Sequence, residues 1–352
     1  MVNGFFPLIK ILTITAISFV GAVMITPILT HFLYKYKLGK EIRDNGKTPI
    51  FTSLHKKKQG TPTMGGILVW VITAILAIGI LALAKLFGPD TIFSDLNFLT
   101  RKQTLLPLGV LLFAAFIGLT DDLLGVSKIG KAGKGLKMRH RIVIYTIIAV
   151  IAALWFYFKL DWDLLHIPLL GNFNIGWWYI PVFVFVVVAA AFSTNETDGL
   201  DGLAGGVLLI AFSSYAIICF FQGRFELATF CGAIAGALLA FLWFNINPAR
   251  FFMGDTGSMS LGITLGVIAL LTNSVFFLPF IGFILLIESL SVIIQVLSKK
   301  VRHKKVFLSA PIHHHFEAKG WPETKVTMRF WIISGVMAVI GLILFFVDKN
   351  LL

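Results

Sequence analysis

Two adjacent carboxylates, Asp121 and Asp122, end the apolar run AAFIGLTDDLLG at residues 114–125. Three further segments carry polar residues suited to phosphate and metal chemistry. FSTNETDGLDGLAGG (192–206) holds Asn195, Asp198 and Asp201 among glycines, and FNINPARFFMGDTGS (244–258) holds Asn245, Asn247 and Asp255. SAPIHHHFEAKGW (309–321) holds His313, His314 and His315. Hard oxygen ligands such as Asp and Asn suit Mg²⁺, which is usually bound by one or two carboxylates together with substrate phosphates. Glycine-rich turns ahead of helices expose backbone N–H groups to phosphate, and lysines meet the same anions as point charges. Together these residue types point to phosphoryl transfer driven by a metal ion and by positioning.

Plainer readings stand beside that one. Asp201 and Asp255 precede helices and fit N-caps. The glycines suit ordinary turns, and three consecutive histidines diverge too much to share one ion easily. Asp121 and Asp122 lie at the carboxyl end of a helix, where the dipole is already negative, so a cation must offset them. Lys128, Lys131 and Lys134 follow closely and could do so, as could a metal.

The elements that position these residues follow from composition. Of 352 residues, 57% are hydrophobic and 13% charged, with mean hydropathy +0.89; a soluble protein would carry about 25% charged residues. The chain reads as an all-α polytopic membrane protein, one integral-membrane domain over residues 1–352. Ten transmembrane helices are expected, at 8–34, 64–87, 104–120, 142–159, 178–195, 201–221, 227–246, 258–275, 278–298 and 329–347. The spans at 104–120, 178–195 and 258–275 are short, as suits helices ending inside a cavity. The apolar start lacks the basic beginning and small-residue cleavage site of a signal peptide. Cys219 and Cys231 lie in apolar runs, which supports neither a disulfide framework nor a metal cluster.

The net charge of +13 is unevenly distributed. Segments 35–62, 121–141, 247–257 and 299–329 hold 23 of the 30 Lys and Arg residues. Positive loops mark the cytoplasmic side, so both termini are expected outside, in the periplasm, and the aspartate-bearing cleft on the cytoplasmic face. Such loops also attract anionic headgroups or substrates. Nucleic acid is not an expected partner, since it would explain none of the aspartates. Stretch 161–178, DWDLLHIPLLGNFNIGWW, is an outer loop that can carry a small hairpin, its tryptophans forming an interfacial belt.

At these residues the sequence resembles the MraY family, the phospho-N-acetylmuramoyl-pentapeptide transferases of bacterial cell-wall synthesis. The resemblance runs across essentially the whole chain through GTPTMGG (60–66), TDDLLG (120–125), TNETDGLDGLAGG (194–206), FNINPARFFMGDTGS (244–258) and PIHHHFE (311–317). The aspartate pair and the later Asp-containing loops are shared with the wider superfamily of polyprenyl-phosphate N-acetylhexosamine-1-phosphate transferases. The resemblance implies transfer of phospho-MurNAc-pentapeptide from UDP-MurNAc-pentapeptide to undecaprenyl phosphate, giving lipid I and UMP, with Mg²⁺ as cofactor. It also implies a multi-pass protein of the bacterial inner (cytoplasmic) membrane, a groove for the polyprenyl chain and a homodimer in the lipid bilayer. By motif, Asp121 and Asp122 match the family's aspartate pair and Asp255 its metal ligand, while Asp198 matches a further essential aspartate. Lys58, Lys134, Asn195 and Asn245 match residues lining the nucleotide and diphosphate site. Phe252 matches an aromatic that stacks on uracil, although by itself it reads as an apolar loop anchor. His313 and His314 match the histidine motif near the diphosphate or sugar, and Gln295 is expected near the nucleoside pocket. HKKKQGTP leaves Lys58 interchangeable with Lys56 and Lys57, and Glu196 stands where many relatives have an apolar residue.

Two rivals differ in what they require. A UDP-GlcNAc transferase acting on the same lipid is disfavoured by TPTMGG and PIHHHFE. A proton-coupled transporter needs charged groups near the midplane, open to both sides, whereas these gather at one end. The resemblance leaves two chemical routes: attack by Asp121 through a covalent phosphoryl-enzyme, or direct attack by undecaprenyl phosphate. A phosphate monoester is mostly ionised at pH 7, which favours the direct route.

Overall fold

In lipid every backbone polar group must be satisfied within its own segment, so long apolar runs become helices. The computed structural model describes residues 5–39, 58, 60–101, 103–126, 136 and 138–349. Helix α1 spans Phe6–Lys35, α2 Ile67–Phe87, α3 Ile92–Leu96, α4 Leu105–Val126 and α5 Met138–Lys159. A hairpin of β1 (Leu164–Ile167) and β2 (Gly171–Asn174) follows, paired antiparallel from Leu164↔Asn174 to Ile167↔Gly171. Then come α6 (Tyr179–Thr197), α7 (Leu203–Phe221), α8 (Phe225–Asn245), α9 (Asp255–Leu271), α10 (Leu278–Ile281), α11 (Phe283–Val301), α12 (Ile312–Ala318) and α13 (Glu323–Asp348).

Eight helices are long and apolar enough to cross a membrane, and a ninth crossing follows if the segments Val275–Ile281 and Phe283–Val301, bent by 85°, count as one span. The expected straight helix over 278–298 is thus broken at Gly282, three residues after Pro279, where a missing N–H and a missing side chain weaken the helix together. The remaining apolar helix, α9, has 17 residues, about 26 Å of rise against about 30 Å of hydrocarbon. It is buried along its entire length, enclosed chiefly by α4 and α6, so protein surrounds it. The span expected at 104–120 runs on to Val126, which puts Asp121 and Asp122 inside α4 and not beyond its end.

Small residues set the closest helix approaches. Gly232 and Gly236 of α8 meet α1 at Ile11, Thr15 and Ser18, and Gly262 and Gly266 of α9 meet the α6 backbone from Val186 to Ala191. Both pairs are spaced four apart, the small-xxx-small pattern that lets membrane helices touch through their backbones. Opposite the aspartates, Lys10 donates to the Asn97 carbonyl at 2.6 Å and Asp348 reaches His166 at 2.6 Å. The first and last helices therefore begin and end at the same end of the bundle. Trp177 and Trp178 are exposed there beside the hairpin, as a belt requires.

Candidate active site at the aspartate end

The site is assembled around the N-terminus of α9. Segment 62–66 runs beside 252–254: Phe252 N–H bonds to Pro62 O at 2.8 Å, Gly65 N–H to Phe252 O at 2.7 Å and Gly66 N–H to Met253 O at 2.9 Å. Gly254, the residue before α9, has φ +75°, a left-handed conformation natural to glycine. A Cβ there would press on the Asp122 carboxylate and the Thr63 hydroxyl. On the facing helix, a Cβ at Gly118 would collide with the Asp255 backbone. This backbone contact lets α4 deliver its carboxylates onto the first turn of α9.

Asp255 was expected as a possible N-cap, but it is the first helical residue and Gly254 holds the cap position. The cap comes from another helix: Asp122 Oδ2 accepts the Thr256 N–H at 2.9 Å, placing negative charge where the dipole favours it. Asp201, by contrast, stands one residue before the cap, Gly202, of α7. Its carboxylate instead takes Lys58 Nζ at 2.6 Å, the Asn247 amide at 2.9 Å and the Ala249 N–H at 3.1 Å.

Asp121 and Asp255 converge on one cation. Arg141, in the first turn of α5, directs Nη2 to Asp121 Oδ2 at 2.8 Å and to Asp255 Oδ2 at 2.7 Å. Its Nη1 donates to Asn195 Oδ1 at 3.1 Å, and the Asn195 amide donates to Asp255 Oδ1 at 2.7 Å. Asp121 Oδ1 accepts the Leu136 N–H at 2.5 Å. All three aspartates, Asp121, Asp122 and Asp255, are buried. Asp198 accepts the Gly254 N–H at 3.1 Å, tying the 192–206 turn to the same cap.

Lys58 belongs to a different network, bonded to both Asp201 and Glu323 and lying 5.6 Å from the centre of the Phe252 ring. Asn245 and Gln295 are bonded to loop backbone here. Asn245 links Gly202 N–H (3.0 Å) to Phe251 O (2.7 Å), and Gln295 bonds Val306 and Phe307 backbone groups at 3.0 Å. Both hold the loops that frame the site. Lys134 lies outside the described residues.

The three histidines lie on the short helix α12 instead of a loop, and each has a different neighbour. His313 Nδ1 meets Glu288 Oε2 at 2.9 Å, His314 Nδ1 meets Glu317 Oε2 at 2.7 Å, and His315 Nδ1 accepts the Leu308 N–H at 3.1 Å. Burial pushes the pKa of His313 down, but the Glu288 carboxylate outweighs it and the net direction is up. Its Nε2 has no hydrogen-bond partner among the described residues and abuts Gly199 in the 192–206 turn.

Sequence reasoning overlooked Arg141, Glu288, Glu317 and Glu323. Glu288 carried a readable signal, an ionisable residue within an apolar span. Arg141 carried a subtler one, because a basic residue in a helix's first turn opposes the dipole and calls for a local anion.

The donor set fits Mg²⁺. Two hard carboxylates from different helices already close on one cationic nitrogen. Among the described residues no three His, Cys, Asp or Glu side chains gather to hold an ion, and Mg²⁺ is usually held by one or two carboxylates with substrate phosphates completing its shell. Asp255 and Asp121 are the residues that would hold it.

The glycosyl transferase family 4 model matches residues 104–273, from the start of α4 to just past α9, and a phospho-N-acetylmuramoyl-pentapeptide-transferase signature matches residues 58–68. A phospho-N-acetylmuramoyl-pentapeptide-transferase of Geobacillus thermodenitrificans (strain NG80-2) is 39% identical over 93% of this chain and 95% of its own. Enzymes of the same name from Bacillus subtilis (strain 168) and Chloroflexus aggregans (strain MD-66 / DSM 9485) are 38% and 37% identical, covering 92% and 95% of this chain and 94% and 89% of theirs. With such identity sustained over 92–95% of the chain and the signature segment seated against the first turn of α9, the chain belongs to the phospho-N-acetylmuramoyl-pentapeptide-transferase family.

Proposed function

We propose that this protein transfers phospho-MurNAc-pentapeptide from UDP-MurNAc-pentapeptide to undecaprenyl phosphate, giving lipid I and UMP, on the cytoplasmic side of the bacterial inner membrane. The observation that carries the chemistry is the meeting of Asp121 and Asp255, from two different helices, on one cationic nitrogen beside the N-terminus of α9. An oxygen of undecaprenyl phosphate attacks the β-phosphorus of the donor. The bond from that phosphorus to the α–β bridging oxygen breaks, and UMP leaves with the electron pair. When bound, Mg²⁺ supplies positive charge for the diphosphate oxygens.

The chain's own residues position the reactants. Asp122 fixes the first turn of α9 and so the aim of Asp255, and Asn195 holds the other Asp255 oxygen. Lys58 and Phe252 form the nucleotide side, with Asp198 nearer the diphosphate and His313 and His314 towards the sugar; the family resemblance adds Lys134 to the residues that bind the nucleotide and diphosphate. Asn245 and Gln295 keep the framing loops in place. Both Asp121 oxygens already have partners, Leu136 N–H and Arg141, which weakens it as a nucleophile and supports direct attack.

The topology that goes with this reading has ten crossings, counting α9 once and the bent α10–α11 pair once, with both termini periplasmic. The concentration of basic residues at the aspartate end supports it. The function is tested by incubating the purified protein with UDP-MurNAc-pentapeptide, undecaprenyl phosphate and Mg²⁺. UMP and lipid I are the expected products, and release of UMP from UDP-GlcNAc alone would overturn the donor assignment.

A further inference from the structure

Arg141 occupies the place between the two carboxylates that the proposed reaction gives to a metal ion. Its Nη2 bridges Asp121 Oδ2 and Asp255 Oδ2, while Nη1 holds Asn195 Oδ1. One side chain of α5 thus joins α4, α6 and α9. Its own helix gains nothing from a cation in the first turn, where the dipole is positive, so the carboxylates account for its presence. Without a cation between them, two carboxylates brought this close would repel, and one would tend to protonate.

The second oxygen of Asp255 is already taken by the Asn195 amide at 2.7 Å. An ion binding Asp255 at the usual Mg–O distance of about 2.1 Å must therefore take Oδ2 from the guanidinium. Two cationic centres cannot share the gap between the same two oxygens. We propose that Arg141 is an exchangeable internal counter-cation: it holds Asp121 and Asp255 together until a divalent ion displaces it from Asp255, after which it remains on Asp121 and Asn195. It is a positioning residue that competes with the metal, and it sets the ion concentration at which the site loads. The inference rests on the Mg²⁺ reading and deepens it.

The test is Mn²⁺ binding to the detergent-solubilised full chain without substrate, followed by electron paramagnetic resonance, with thermal unfolding measured at zero and saturating Mn²⁺. Arg141→Met should bind Mn²⁺ about tenfold more tightly than the unaltered chain, since its competitor is gone; tenfold corresponds to about 1.4 kcal/mol. It should also unfold at a lower temperature without metal and recover when Mn²⁺ is added. Arg141→Lys, which keeps a cation but loses the planar fork, should fall between the two and carries the test if the methionine variant does not fold. A merely structural arginine would leave Mn²⁺ affinity unchanged or weaken it on substitution, and either result in a folded variant overturns the proposal. If Asp255→Asn binds Mn²⁺ as the unaltered chain does, the metal reading beneath it fails instead.

Discussion

The two ends of the bundle each bury a polar cluster, and the clusters are built on opposite plans. Away from the aspartates, His166 on β1 meets Asn172 through Nδ1 at 2.8 Å and Asp348 through Nε2 at 2.6 Å, while Asp348 Oδ1 accepts the Leu169 N–H at 2.7 Å. One hairpin and one helix end close on each other, which is what a staple needs. At the aspartate end the carboxylates come from different helices, and glycine contacts between backbones hold them there. Asp122 caps a helix that is not its own, and Asp121 and Asp255 share a single arginine. A cluster that only fastens can be local. Under the proposed exchange, a cluster that must accept a cation would keep its ligands in place by backbone packing while the shared cation changes.

The sharpest break between the two ends should appear on removing one negative charge from each. Asp255→Asn keeps shape and should lower turnover by at least about 10²-fold, the scale on which losing one preorganised electrostatic group acts. Asp348→Asn, at the staple, should leave turnover within about twofold and cost about 1–2 kcal/mol of stability through its lost charge-assisted bonds. Lipid I formation and thermal unfolding, measured on both variants, check this. Equal turnover losses would erase the distinction between the ends.

The same contrast can be drawn within α4. Gly118→Ala adds one methyl against the Asp255 backbone, whereas Gly109, on the same helix, faces open space. The Gly118 variant should cost about 1–3 kcal/mol by overpacking and lower turnover severalfold with no change of charge. Gly109→Ala should do neither. If the two behave alike, backbone contact is not what aims the aspartates.

Much of this was legible in the chain. Carboxylates at the edges of apolar runs stand out because lipid makes them costly, so Asp121, Asp122 and Asp255 were readable as a group, and the basic loops pointed to their shared end. Stretch 161–178 was readable as a loop able to carry a small hairpin. What escaped depended on partners far away in sequence. Asp201 looked like an N-cap because the local pattern fits one, yet its partner Lys58 lies 143 residues away. Arg141 was absorbed into a count of loop charge, and the α10–α11 bend was hidden because an apolar run looks the same straight or broken. Glu323 lies outside the span expected at 329–347, because α13 starts six residues earlier, just after Pro322.

The smallest effect expected concerns pH at the histidine helix. His313 is faced by Glu288 from α11, Glu317 from its own helix and Glu196 from α6, and its pKa is raised above the ordinary 6.5. A group whose folded pKa is raised contributes stability that is complete below its unfolded pKa and is lost as pH rises through the folded value. The Glu288 carboxylate should therefore stabilise the protein most below about pH 6.5, and progressively less above it. Thermal unfolding of the unaltered chain and of Glu288→Gln, compared from about pH 5.5 to 9, reads this directly. The gap between them should be widest at the acidic end and should narrow as His313 loses its proton. A gap that stays constant would mean that His313 is held by a neutral hydrogen bond alone. The histidine helix would then resemble the His166 staple in serving only to fasten, and its difference from the opposite end would rest on Asp121, Asp255 and Arg141.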